Sequence, residues 1–445
     1  MLVFIHCFLS VIMHILHYYF AISTLIICFS SYSLSTAQPN QTNSILIGIS
    51  MGAATPSGVS SVRSMRMAVE EINAAGGING KRLDMQVEYG SAKDPLIMDS
   101  TIYRLIAAGA TCIISGSGSG NTLRAAQIAV SKGVMLMTAA SSSPRIGDIV
   151  DNNLVWRTIP SDIFQAHVAA DILQKKKYKT VGIIAINNVY GLALSASFAK
   201  SFQKIGGKIV ASITYPDIVS YDTFNFKAKL DSLYEQKPSA IYLVSYNDDG
   251  AKIMNDSKEY LSANYKPFIF GCDGNYNNDF LLSADLPMIE GMEGLSYVHP
   301  MNYANYDIFF TKFKEFSQRS AEISDLANSS LANLLDVEAT NSYAATSYDA
   351  IYTFALAALK ASSSKPSEIA KQMPSISHAT KGSVTVNVGE FAKAKEALKQ
   401  GKTINYDGAS GPMEFDAKGD VTHGNYIIWR INEGKFIEVG TVAFP

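Results

Sequence analysis

Cys112-Ile113-Ile114-Ser115-Gly116-Ser117-Gly118-Ser119-Gly120-Asn121-Thr122 starts as an apolar run and ends as the opening of a helix. The helix continues over 122–131, and 134–137 is a second apolar run. Strand, Gly/Ser turn, helix, strand is the unit of a parallel sheet, because parallel neighbours need a crossover that a helix supplies. Upstream, 45–49 reads as a strand, 62–74 as a helix closed by Gly76-Gly77, 83–89 as a strand and 98–108 as a helix. Downstream the order restarts. Helices are expected at 166–174, 194–205, 224–234 and 251–260, and strands at 180–186, 208–214, 240–244 and 267–270. Two consecutive sets of this kind predict an α/β chain with two doubly wound lobes. The section 297–362 is mostly helical, and its polar stretch 318–341 reads as an inserted surface segment. Short strands are expected at 413–415, 426–431 and 436–439.

Composition narrows the function. The chain has 445 residues, 47% hydrophobic and 17% charged, which suits a folded chain of two ordinary domains. A formal net charge of -2 gives no basic face for nucleic acid. Lys175-Lys176-Lys177 and Glu70-Glu71 read as solvated helix positions. Residues 1–37 hold no Lys, Arg, Asp or Glu, so this segment is either a secretory signal, cleaved after Ala37, or a membrane anchor. Both place the remainder outside the cytoplasm: periplasmic or extracellular. Beyond that leader only Cys112 and Cys272 remain, in separate apolar strands, and they are expected as two buried thiols.

The Gly/Ser turn is the sharpest chemical feature. Glycines let backbone approach a ligand, and serine hydroxyls with the free N–H groups of a helix start can cradle an anion. The turn lacks the Gly-Lys-Ser/Thr of a P-loop and the spacing of a dinucleotide fingerprint. Ala139-Ala140-Ser141-Ser142-Ser143-Pro144 repeats the arrangement one strand later. From the second set, Tyr190, Tyr246 and Asp273 each follow a strand. An Asp facing a serine cradle suits a zwitterion, with the ammonium on one lobe and the carboxylate on the other. Catalytic and metal constellations are poor. The histidines beyond the leader, His167, His299, His378 and His423, have no metal-ligand spacing, and Gly stands where a nucleophile elbow needs Ser. No enzyme activity, metal or cofactor is expected.

These residues carry a resemblance. Glu70-Glu71-Ile72-Asn73-Ala74-Ala75-Gly76-Gly77-Ile78-Asn79-Gly80, Asp94-Pro95 and Arg157-Thr158-Ile159-Pro160-Ser161-Asp162 come in order, then Tyr190-Gly191, Tyr348-Asp349-Ala350 and Gly411-Pro412-Met413-Glu414-Phe415-Asp416. In that order and spacing, over about 45–442, the chain resembles the branched-chain amino-acid-binding proteins, type I periplasmic binding proteins that serve ABC importers. The resemblance implies two Rossmann-like lobes joined by a three-crossover hinge near Pro160, Val298 and Thr422. Lobe one would be 44–159 with 298–421, and lobe two 160–297 with 422–445. It also implies capture of an amino acid or analogue by a monomer that docks on membrane permease subunits; a membrane-anchored sensing ectodomain is the alternative. Carried over singly, the family's carboxylate-binding serine matches Ser119, and its next loop matches Ala140 and Ser142. Its tyrosines match Tyr190 and Tyr246, and its amino-binding acid, often Glu, matches Asp273. Ser57, where amino-acid binders carry an aromatic residue, and Ser117 are further ligand candidates. Lys93 and Gly118 stand where some relatives carry a disulfide.

Overall fold

The computed structural model describes residues 44–445 apart from 53–54, 219 and 322–341. The expected leader at 1–37 and most of the expected insertion lie outside the described residues; 318–321 close a helix. The strands are β1 (Ser44–Met51), β2 (Arg82–Tyr89), β3 (Cys112–Gly116), β4 (Met135–Thr138), β5 (Val155–Arg157), β6 (Thr180–Asn187) and β7 (Lys208–Pro216). They continue as β8 (Ala240–Val244), β9 (Phe268–Gly271), β10 (Glu293–Val298), β11 (Val384–Val386), β12 (Ile404–Tyr406), β13 (Gly424–Asn432) and β14 (Lys435–Phe444). The helices are α1 (Pro56–Ala74), α2 (Pro95–Ala107), α3 (Ser119–Ser131), α4 (Asp162–Lys175), α5 (Val189–Lys204), α6 (Lys227–Tyr234) and α7 (Asn247–Asp256). After these come α8 (Asn278–Ser283), α9 (Leu286–Ile289), α10 (Ala304–Ala321), α11 (Ser342–Ala361), α12 (Pro366–Ala370) and α13 (Phe391–Lys399).

Two large sheets carry the fold. The first has the order β2-β1-β3-β4-β5 and the second β14-β13-β10-β9-β8-β6-β7. From β7 to β10 the second sheet repeats the order of the first, with β6 in the place of β1, and all these pairs are parallel. The antiparallel ribbon β13–β14 extends it along β10. Strands β3, β4 and β8 are buried almost throughout, as expected for parallel strands with helices on both faces. One core joins β1, α1 and α11 through Ile47, Ile49, Ala68, Ile351 and Phe354. The opposite face of the first sheet packs Ile113 and Leu136 against Leu105 and Ala126 of α2 and α3. A separate core surrounds the second sheet, with Ile184, Phe198, Tyr242, Leu295 and Trp429.

The chain passes between the sheets three times among the described residues: from β5 into α4, after β10, and before β13. These are the places expected near Pro160, Val298 and Thr422. In both sheets the strand order reverses beside the first strand of the set, between β1 and β3 and between β6 and β8. Loops at such reversal points are where ligands bind in open α/β sheets.

The structure corrects several local expectations. Helix α1 starts at Pro56 rather than 62, α3 at Ser119 rather than 122, α5 at Val189 rather than 194, and α7 at Asn247 rather than 251. Caps set the first and third of these: Thr55 Oγ1 accepts the Gly58 N–H at 3.2 Å, and Asn188 Oδ1 accepts that of Gly191 at 2.9 Å. In α1, α3 and α7 the first turn is mostly polar or Gly/Pro, so periodicity alone starts these three late. Residues 413–415 form no strand, only an isolated bridge from Phe415 to Val421. Glu71 is not a solvated position: it accepts from Lys312 at 2.8 Å and from the Tyr352 hydroxyl at 2.8 Å, while Glu70 stays exposed. Lys176, from the basic run, reaches the buried Glu293 carboxylate at 2.9 Å. Cys112 and Cys272 are buried and unbridged, as expected, and burial pushes the Cys272 thiol up to about 12. Among the described residues no helix is long and apolar enough to cross a membrane.

Candidate ligand-binding site

In the first sheet, β3 runs into Gly118, whose φ of 82° is open to glycine and turns the chain into α3. Gly118 brings no side-chain cap, so the first N–H groups of α3 keep their donors. Ser119 is the first helical residue, and its Oγ accepts the Ser143 N–H at 3.3 Å. Below them a ladder of buried hydroxyls ties the two loops together. Ser115 and Thr122 share a hydrogen bond of 2.8 Å, and Thr122 and Ser141 another of 2.8 Å. Thr138 Oγ1 accepts from the Ser141 N–H at 3.1 Å and the Ala140 N–H at 3.4 Å. Ser117 is buried and gives its hydroxyl to the Ser50 carbonyl at 3.2 Å, holding β3 to β1.

Arg157, fully buried at the end of β5, fixes the second loop. Its Nη1 donates to the Ser142 carbonyl at 2.8 Å and the Ser143 carbonyl at 2.9 Å, and its Nε to Asp420 at 2.9 Å. The loop therefore cannot turn its carbonyls toward a bound anion, which leaves N–H groups and hydroxyls as the groups it can present.

The second sheet contributes aromatic rings and an acid. Tyr190 lies in the first turn of α5, and Tyr246 precedes α7. Their rings stack with centroids 5.3 Å apart. Asp273 opens a short 3-10 turn after β9. Its carboxylate accepts from the Tyr190 hydroxyl at 2.6 Å, Gln165 Nε2 at 2.9 Å and the Tyr343 hydroxyl at 3.3 Å. Burial, and then the charge of Asp273, hold the Tyr190 phenol well above its ordinary range. Neither tyrosine is an acid–base group near neutrality; both are hydrogen-bond and stacking surfaces.

Two bridges bring these groups to one place. Helix α11 gives Tyr343 to Asp273, and one turn later Thr346 Oγ1 donates to the Ala139 carbonyl at 2.7 Å. At the start of α4, the Asp162 N–H donates to the Ser142 carbonyl at 2.9 Å, and Gln165 reaches both Asp162, at 3.2 Å, and Asp273. The sheets also meet directly, where Ser143 Oγ donates to the Val189 carbonyl at 3.0 Å, next to Tyr190. Ser119, Ala140, Ser142, Tyr190, Tyr246 and Asp273 are thus joined in one neighbourhood. Ser57 is exposed in the first turn of α1, its hydroxyl 3.3 Å from that of Thr55, and is placed by that turn rather than by the bonds above.

Sequence reasoning missed Gln165, Tyr343 and the inward role of Asp162. Gln165 follows Asp162 by three positions, the spacing that puts both on one helix face, and that was the available signal. Tyr343 sits just past the polar stretch, where no pattern marks it. The Asp162 carboxyl is fully buried and held well above the usual range, first by burial and second by the Asp273 charge; Ser142, Arg157 and Gln165 pull the other way.

The model of the receptor family ligand binding region matches residues 61–434. The chain belongs to this family. Among similar proteins, the Leu/Ile/Val-binding protein of Citrobacter freundii is 26% identical over 259 residues, 58% of this chain and 67% of that protein. The chemotactic signal transduction system substrate-binding protein BasB of Halobacterium salinarum is 24% identical over 378 residues, 83% of this chain and 82% of that one. The branched-chain amino acid transporter substrate-binding protein of Streptococcus pneumoniae, solved with isoleucine, superposes with a TM-score of 0.66 at 20% identity, covering 90% of this chain and 99% of that one. The receptor-family fold here is that of the type I periplasmic binding proteins, and the expected resemblance to branched-chain amino-acid-binding proteins stands.

Proposed function

We propose that the protein is an exported solute-binding protein, not an enzyme, that captures an amino acid or close analogue between its lobes. The lobes would be 44–159 with 298–421, and 160–297 with 422–445. The observation that carries this reading is the joining of Asp273 to the Ala140–Ser142 loop through α4 and α11. A ligand ammonium would pair with the Asp273 carboxylate. A ligand carboxylate would take Ser119, the Ser142 hydroxyl and the N–H groups at the start of α3, where the helix dipole favours an anion. Only the closed arrangement offers both sets, so binding favours closure. The closed form would then dock on the permease subunits of an ABC importer. The printed name of BasB supports a second reading, in which the same closure is read by a chemotactic sensor.

Calorimetric titration with L-leucine, L-isoleucine, L-valine and their amides tests the reading, on wild type and on Asp273→Asn. The variant keeps the side-chain size but loses the charge that meets the ammonium. It is expected to weaken amino-acid binding by roughly tenfold to a hundredfold, from about 1.5–3 kcal/mol for a charged hydrogen bond. Equal affinity in the two proteins would show that the ammonium lies elsewhere.

A further inference from the structure

Besides the bonds of Ser143 and Tyr343, an ion pair crosses between the lobes beside the site. Lys93 lies in the loop from β2 to α2, and Asp217 just past β7. Lys93 Nζ donates to the Ile218 carbonyl at 2.9 Å and to Asp217 Oδ1 at 3.3 Å, and sits 5.8 Å from the centre of the Tyr221 ring. The second oxygen of Asp217 accepts from Asn188 Nδ2 at 2.8 Å. Asn188 is the cap of α5, and its own Oδ1 receives the Gly191 N–H. The relay runs Lys93, Asp217, Asn188, first turn of α5. That turn carries Tyr190, which holds Asp273.

We infer that Lys93 is a positioning residue for the ligand site: reaching across from lobe one, it latches the lobes together and steadies the cap that places Tyr190. The inference rests on the capture reading only in what the latch is for. Several features favour a latch over an incidental surface pair. Lys93 makes two hydrogen bonds on the far lobe, one of them to a main-chain carbonyl. Asp217 uses both oxygens, one on each side of the boundary. The pair is half-exposed, with side-chain exposures of 42% and 34%, so its strength depends on salt. A contact that holds the lobes together acts on release more than on capture, so its loss raises the ligand off-rate and leaves the on-rate nearly unchanged.

Hydrogen exchange with no ligand added decides it, read on the peptide spanning 187–194 in wild type, Lys93→Met and Lys93→Arg. The methionine variant is expected to speed exchange there by roughly fivefold, the size of an exposed ion pair, and to leave 119–131 unchanged. The arginine variant, which keeps charge and donors, should restore the wild-type rate. Raising sodium chloride from about 0.05 to about 0.5 M should speed exchange in wild type but not in the methionine variant. Exchange within twofold of wild type in Lys93→Met overturns the latch. Stopped-flow release of L-leucine is the second arm, with an off-rate about fivefold higher expected in Lys93→Met. A wild type that does not hold L-leucine loses the leucine reading, and the exchange result then decides the latch alone.

Discussion

Asp162 lies at the first helical position of α4, fully buried, with its carboxyl raised well above 3.8 by burial and by the neighbouring Asp273 charge. A group whose folded pKa is raised binds its proton more tightly in the folded state. Stability therefore falls as pH rises from the unfolded value, near 3.8, through the folded one. Asp162→Asn removes that cost. The variant is expected to melt above wild type at neutral pH, with the gain shrinking toward zero near about pH 4. Melting curves of both proteins across this window check it. A variant that melts below wild type at neutral pH and level with it near about pH 4 would mean that the ionised carboxylate, beside Arg157, is a net stabiliser. At this scale the sequence showed which polar residues stand at strand ends, because β–loop–α order alone puts Ser119, Ser142, Tyr190, Tyr246 and Asp273 there. It did not show which are already committed to protein partners. Ser117 and Ser119 read alike in the chain, yet one ties two strands and the other heads a helix. Gln165 and Tyr343 reach Asp273 only because α4 and α11 converge on it, a tertiary fact that leaves no local signature at Tyr343 and at Gln165 only its spacing from Asp162.

Among the elements, β5 has only three residues but holds Arg157, which binds the Ser142 and Ser143 carbonyls and, through Asp420, the segment that leads into β13. The short strand thus couples the site to the third passage between lobes. Arg157→Met would leave the Asp420 carboxylate without its guanidinium and take one of two donors from each of the Ser142 and Ser143 carbonyls, which keep the Asp162 and Ile146 N–H groups. Breaking a buried pair from one side costs about 3–5 kcal/mol. Urea unfolding should show a loss of that order, and a loss below about 1 kcal/mol would mean that water replaces the guanidinium. Strands β5, β10, β11 and β12 were not legible in sequence, for a physical reason. They are short or interrupted by small polar residues, and neighbours hold them. In β10, Gly294 lies under the Trp429 ring, where a Cβ would come within 2.2 Å of it, so the residue that weakens the local strand signal is the one that packing requires. The long buried runs β1, β3, β6 and β8 were legible because burial on both faces demands uninterrupted apolar sequence.

At the scale of the molecule, the chain's two tryptophans fall one in each lobe's core: Trp156 beside Ile114 and Met137, Trp429 beside Leu295 and Ile431. Trp156→Phe and Trp429→Phe therefore leave a single emitter that reports one lobe at a time. A ligand held by both Ser119 and Asp273 stabilises only the state in which both lobes are folded and closed, so linkage protects the two together. Amino acid at about 100 times its dissociation constant should add about 2.7 kcal/mol and raise both single-tryptophan melting midpoints by the same few degrees. The equality carries the information. A solute seated wholly on one lobe would move only that lobe's reporter and leave the other at its unliganded midpoint. That result would sink capture between the lobes even if the affinity were high, because tight binding to one lobe gives no reason for the other to close.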